Sequence, residues 1–263
     1  MKRERSLAEF VDGLQSRGRY TFSREQALAA LAGSPAAFKL AAGRLARADR
    51  LVMPRRGFFI IVPLEHRTAG APPPSWYVTD LLHHAGVAGY VGLLSAAALH
   101  GAAHQASQEY QVVTDRQLRA TTVGRSRLQF MFKRDAARTP VVSRKTETGS
   151  MSVSTVEATA FDLVQYVAAV GSIDTAATVL AELGDAVDAA ALAECASLFP
   201  RSTGQRVGWL LDRVGHAEKT RRLHDALAAR PRAAISLRPG SGATGAADAR
   251  WHVRVDRDVE MDE

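Results

Sequence analysis

Cysteine is almost missing from the chain: Cys195 is the single one in 263 residues, which excludes an internal disulfide and a thiolate-rich zinc site. Its expected place is in a core, as a small hydrophobe. Aromatic residues make up only 6% of the chain, and no apolar run approaches the roughly 20 residues that a membrane-spanning helix requires. The charged opening MKRERSLAEF has no apolar stretch of the kind a secretory signal carries, so the expected location is the cytoplasm and no membrane partner is expected. Phosphate-binding loops of the GxxxxGK[ST] and GxGxxG kinds, a GxSxG elbow and the protein-kinase signatures are all missing. The glycines of PGSGATG stand in a tail without the strand and helix such loops need. These absences leave no catalytic residue, cofactor or metal to assign, and the expected function is not enzymatic.

Charge of one sign is also lacking, but only in part of the chain. The net charge is +7, and residues 1 to 70 alone hold 13 Lys or Arg against 6 Asp or Glu. The remaining residues balance to zero. A positive excess confined to one segment is expected where that segment meets phosphates and the rest does not.

That segment has a readable order. Leu7, Phe10, Val11 and Leu14 give a buried stripe to a helix over residues 6 to 16, Tyr20 to Phe22 are extended, and Ser23 caps a second helix to about Leu31. Gly33 leaves a tight turn before Ser34, which is placed to cap a third helix with Pro35 at its first position. Phe38, Ala41, Leu45 and Ala48 recur at spacings of three and four, so that stripe faces the core while Lys39 and Arg47 face outward and Arg44 lies at the flank. Leu51 to Met53, a turn at Pro54-Arg55-Arg56-Gly57 and Phe58 to Val62 read as a hairpin. Helix, strand, helix, turn, helix, hairpin is the plan of a winged helix. The third helix would enter the major groove of DNA, and the hairpin arginines would meet phosphate or the minor groove.

Residues 66 to 75, with Gly70 and Pro72, Pro73 and Pro74, are expected to be an extended linker. This divides the chain into a DNA-binding domain over 1–65, the linker over 66–75, an α+β domain over 76–238 and a flexible tail over 239–263 with an acidic end. Within the larger domain, helices are expected over 76–84 and 91–103, and strands over 108–114, 127–133, 141–143 and 151–153, forming a small, mainly antiparallel sheet. Arg116, Arg119, Arg125, Arg134 and Arg138 fall in or near its connections. Ser154-Thr155-Val156-Glu157 reads as a capping box opening a helix to about Val170. Four more helices follow, over 172–183, 188–198, 203–214 and 217–229.

Two patterns suggest chemistry and fall short of it. His100 and His104 are four apart on a helix, a spacing that can place two imidazoles on one metal, but neither an intervening glutamate nor a third ligand accompanies them. Histidines in a structural role are the better reading. Gly92 to Gly101 followed by a strand is similar to the opening of nucleotidyltransferase domains, yet the strand offers Glu109 and not the paired aspartates that hold two metal ions. Asp115, Asp135 and Asp162 are too scattered to propose as a carboxylate pair.

Taken together, the basic helix and hairpin up to Val62, the stretch YVGLLSAAALHGAAHQASQEYQVVT (Tyr90 to Thr114), Val153 to Thr159 with Asp162 after it, and GQRVGWLLDRVG (Gly204 to Gly215) resemble the AbiEi family. Its members are antitoxins and transcriptional regulators of abortive-infection, type IV toxin-antitoxin systems. The resemblance implies that the N-terminal domain binds inverted repeats in the promoter of its own operon and represses it. It implies that the C-terminal domain counters a nucleotidyltransferase-like toxin, often without a stable complex, and that the pair acts in defence against phage. On the matching positions it places DNA contacts at Ser34, Lys39, Arg44, Arg47, Arg55 and Arg56. The Gly/Ala-rich tail departs from the pattern. Two other readings stand beside this one: a winged-helix regulator whose second domain senses a small ligand, and an enzyme that modifies a toxin or nucleic acid through an unfamiliar site.

Overall fold

A computed structural model describes residues 6–31, 33–102, 109–228 and 233–260. Lys2, Arg3, Arg5, His104, Asp262 and Glu263 lie outside the described residues. The N-terminal body starts with α1 (Leu7–Gln15), where the Ser6 hydroxyl accepts from the Glu9 amide at 3.2 Å and the Glu9 carboxylate accepts from the Ser6 amide at 3.1 Å. Such reciprocal capping satisfies donors that the first helical turn leaves free. Then come β1 (Thr21–Ser23), α2 (Arg24–Ala30), α3 (Pro35–Arg47), β2 (Leu51–Arg55) and β3 (Phe58–Ile61). The strands form an antiparallel sheet in the order β1-β3-β2. Its core is built on four rings: Phe59 stacks on Phe22 at 5.1 Å between centroids, and Phe10 and Phe38 meet this pair edge-on.

Two local expectations are corrected. Ala42 replaces Ala48 on the buried side of α3, because Ala48 is already the exposed C-cap residue and no longer follows the helical spacing. The hairpin turn is also tighter than four residues. Pro54 and Arg55 belong to β2, a bulge between Val52 and Arg55 shifts the register by one residue so that Arg55 faces Phe58, and only Arg56 and Gly57 turn the chain. Gly57 has φ of 80°, which glycine adopts without strain.

The proline-containing segment is not drawn out. Leu64–Ala69 and Pro74–Trp76 are 3-10 helices, and Ala71 is buried. The Arg125 amide donates to the Ala69 carbonyl at 2.9 Å, which seats this segment on the second body. Phe58 and Ile60 from the hairpin share a buried cluster with Ala71, Tyr77, Leu81, Val123 and Leu128. The two bodies therefore meet through an apolar contact.

The larger body contains α4 (Val78–Ala85), β4 (Gly89–Val91), α5 (Leu93–Leu99), β5 (Glu109–Thr114), β6 (Thr121–Val123), β7 (Ser126–Phe132), β8 (Val141–Thr146) and β9 (Gly149–Ser154). Six strands join in the order β6-β7-β5-β4-β9-β8. The sheet is mixed rather than mainly antiparallel, since β5 runs parallel to β7 and β4 parallel to β9. Strand direction follows from long-range pairing, which no local pattern records. The same pairing takes Gly89–Val91 into the sheet, so α5 starts at Leu93 and not at Val91.

Behind the sheet lie α6 (Val156–Gln165), α7 (Val167–Val170), α8 (Ile173–Leu183), α9 (Ala189–Cys195), α10 (Arg201–Arg213) and α11 (Arg221–Ala228). The expected box at α6 is not formed. Thr155 is the N-cap, accepting from the Ala158 amide, while the Glu157 carboxylate accepts from the Asp188 amide at 2.9 Å and so joins α6 to the start of α9. The final segment folds back onto this helical layer. β10 (Ile235–Ser236) and β11 (Val253–Arg254) pair in parallel, and Trp251 is buried against Gly208, where an added Cβ would come within 2.3 Å of the indole ring. Cys195 is buried, and burial pushes its thiol up to about 12.

Candidate nucleic-acid interface

Ser34 starts α3 as expected: its hydroxyl accepts from the Ala37 amide at 3.2 Å, and Pro35 follows at the first helical position. Burying Phe38 and Ala42 turns the opposite side of the helix to solvent. Lys39, Leu40, Arg44 and Arg47 are exposed there, and Gly43 between them carries no side chain. Arg47 lies back along this surface, its Nε donating to the Gly43 carbonyl at 3.2 Å.

The six expected contact residues do not form one cluster. Lys39 and Arg56 line the same groove of about 420 Å³ between α3 and the hairpin, with Arg24 at the start of α2. Arg55 and Arg56 line a second cavity behind the hairpin tip. Ser34 and Arg44 lie on the other flank of α3, where both line a smaller cavity toward α1. Arg56 thus belongs to both of the larger hollows. Among the described residues, Lys39, Arg44, Arg47, Arg55 and Arg56 take part in no ion pair. A guanidinium without a carboxylate partner keeps donors for an outside acceptor; at Arg47 these are the terminal nitrogens, since its Nε is engaged by Gly43.

The hairpin tip is braced. The Arg24 amide donates to the Gly57 carbonyl at 2.8 Å, His84 Nε2 donates to the Arg56 carbonyl at 3.2 Å, and the Thr121 hydroxyl donates to the Pro54 carbonyl at 3.3 Å. His84 and Thr121 belong to the larger body. In sequence, position 84 only ends the helix expected over 76–84, and Arg119 only falls in or near a connection. Their approach to the hairpin has no counterpart in sequence spacing.

The larger body contains a different polar site, closed to solvent. Asp162 on α6 is fully buried, and the Tyr90 hydroxyl donates to its Oδ1 at 3.2 Å while Oδ2 has no partner. Burial pushes the Asp162 carboxyl up to about 7, against the pull of the Lys133 ammonium and the Tyr90 hydroxyl. Lys133 donates to the Thr139 hydroxyl at 2.8 Å and lies 3.4 Å from the centroid of the Phe199 ring. Burial lowers its ammonium below the ordinary range.

The other acidic residues considered for chemistry are elsewhere. Asp115 accepts from the Ala88 amide, and Asp135 is exposed. His100 donates through Nε2 to the Ser154 carbonyl at 2.7 Å and accepts through Nδ1 from Arg144 at 3.4 Å, so both ring nitrogens are engaged. Among the described residues no group of three His, Cys, Asp or Glu side chains is arranged to hold a metal. Ser95 on α5 accepts from the Gln111 amide and serves to tie the helix to β5. None of the helices in the described residues is long and apolar enough to cross a membrane.

The architecture is that of an α+β protein: a small basic three-helix body with an antiparallel sheet, joined to a six-stranded mixed sheet backed by helices. Residues 90–213 match the family model described as the AbiEi antitoxin C-terminal domain, and this part of the chain belongs to that family. The crystal structure of the RV2827C protein from Mycobacterium tuberculosis has a similar fold, with a TM-score of 0.67 at 17% identity, over 97% of this chain and 93% of that one. A search of curated proteins gives no match.

Proposed function

We propose that the protein is an autoregulating antitoxin of the cytoplasm, whose N-terminal body is a winged helix that binds inverted repeats in its own promoter and represses the operon. In this reading α3 enters the major groove and the β2–β3 hairpin is the wing. The observation that carries it is the set of unpaired cations on α3 and the hairpin, with Arg56 bordering the groove between them. Arg47, which projects from the outward side of α3, is suited to bidentate pairing with guanine, and Lys39 to a phosphate or a base edge. The wing arginines supply affinity that depends on salt and little on sequence.

The antitoxin domain over residues 90–213 implies a toxin as partner, and the proposed partner is a nucleotidyltransferase-like toxin encoded beside it. Full-length chain co-expressed with the neighbouring gene should restore growth, and unrelieved toxicity would reject the pairing. Gel shifts on promoter and shuffled duplexes test the DNA-binding half. Arg47→Ala should lose affinity for the promoter alone, and equal losses on both duplexes would reject its base-reading role.

A ligand-sensing regulator is the second reading, favoured by a cavity of about 390 Å³ in the larger body with Tyr90, Thr139 and Met151 in its lining. It requires promoter affinity to change with a small molecule.

A further inference from the structure

A cleft of about 320 Å³ opens where the hairpin tip meets the larger body. Arg55 and Arg56 line it from the hairpin, His84 from the end of α4, and Arg119 from the connection between β5 and β6. Arg56 and Arg119 are exposed and Arg55 is half-exposed. None of the three has an ion-pair partner among the described residues, and no carboxylate lines the cleft. Glu25 on α2 interacts with His84 and Arg24 and does not line the cleft. Its carboxyl is held below the usual range by a backbone amide and the Ser23 hydroxyl, with smaller contributions from His84 and Arg24.

Three guanidinium groups around one hollow repel each other until an anion enters. Guanidinium forks match the oxygens of a phosphate. A protein partner would instead be expected to need an apolar anchor at the centre of its contact, and here the apolar lining is limited to Pro54, Ala85 and Ala120. Position matters as much as composition. Arg56 also lines the groove beside α3, and its carbonyl is bonded to His84 of the larger body. The Phe58 and His84 rings lie 5.3 Å apart just behind the tip. The hairpin and Arg119 therefore border one cleft, and Arg56 joins that cleft to the groove beside α3.

We propose that Arg119 is a DNA-backbone contact, and that the cleft between hairpin and larger body seats phosphates of the same duplex whose major groove receives α3. The domain that carries the antitoxin match thereby becomes part of the DNA footprint. This inference rests on the DNA-binding reading above, so the experiment includes Arg47→Ala as a separate arm.

The full-length protein and its Arg119→Ala, Arg119→Lys and Arg47→Ala variants are titrated onto the promoter duplex and a shuffled duplex by fluorescence anisotropy between 50 and 300 mM salt. Single-stranded RNA and polyglutamate serve as competing polyanions. Arg119→Ala should weaken binding to both duplexes by a similar factor, about three- to tenfold, and should lower the slope of log affinity against log salt by about 0.9 for the one phosphate lost. Arg119→Lys should restore most of the slope. Hydroxyl-radical footprints should lose one protected backbone stretch at the edge of the site.

Unchanged affinity and slope in Arg119→Ala, with promoter preference still lost in Arg47→Ala, would overturn the cleft contact and leave the DNA-binding reading standing. An Arg119→Ala variant that lost only RNA or polyglutamate binding would reject DNA as the occupant. Absence of duplex binding by the unmodified protein would overturn both.

Discussion

Two surfaces of the molecule, the α3–hairpin face and the helical layer of the larger body, use their arginines in opposite ways. On α3 and the hairpin, Arg44, Arg47, Arg55 and Arg56 have no carboxylate partner among the described residues, whereas in the helical layer of the larger body arginines are spent on closure. Arg238 contacts Asp174 at 2.7 Å and Asp256 at 3.0 Å, Arg257 contacts Asp174 at 3.0 Å, Arg250 contacts Asp212 at 2.8 Å, and Arg213 pairs with Asp258. Asp212 also accepts from the indole of Trp251. Net charge alone would separate the bodies, but pairing says more about purpose. Cations already satisfied within the chain hold the fold, and cations left unsatisfied on one surface are available to a polyanion.

The comparison can be broken first at the closure of the larger body. Trp251→Ala removes a buried indole and its bond to Asp212, and should cost about 3–5 kcal/mol, read as a lowered midpoint in denaturant. If the variant that remains folded binds DNA less well, the division of labour between the bodies is wrong.

The buried carboxyl gives a smaller effect with a defined sign. Asp162 has a folded-state pKa raised to about 7 from an ordinary 3.8, so the native state keeps a proton that the unfolded chain releases. Its contribution is fully present below about pH 4 and is lost as pH rises to about 7, by on the order of 2–4 kcal/mol. Urea unfolding between pH 4 and 8 should show this decline, and Asp162→Asn should flatten it. A decline that persists unchanged in the variant would assign it to another group.

Arg47→Ala should lose roughly 1–3 kcal/mol on the promoter duplex and relax its sequence preference, while Arg55→Ala should weaken all duplexes alike by less. Ser34→Ala should cost around 1 kcal/mol of stability through the lost helix cap, measured by thermal melting at constant pH. A Ser34→Ala protein of full stability but weaker promoter binding would shift the residue from capping to direct contact.

Local order was legible from sequence where one segment contains both halves of the signal. Ser23 and Ser34 each cap the helix expected of them, and the stripe of Leu7, Phe10, Val11 and Leu14 is the buried side of α1. Legibility ended where partners are distant in the chain. β6 has only three residues and owes its existence to β7; Glu157 left its expected cap for the Asp188 amide; and Trp251 sits in the core because Gly208, 43 positions earlier, leaves room for it. At the candidate interface, the outward direction of Lys39 and Arg47 could be read from helical spacing. The meeting of Arg56 with His84, and of both with Arg119, could not, because it depends on how the two bodies pack.

The most direct test is the affinity of the full-length protein for a duplex taken from upstream of its own coding sequence, compared with a base-shuffled duplex across salt concentrations. Base reading from α3 should give at least about a thousandfold preference for the first, and the unpaired cations of α3 and the hairpin should make affinity for both fall steeply as salt rises. Equal affinity for the two duplexes, or binding indifferent to salt, would contradict it.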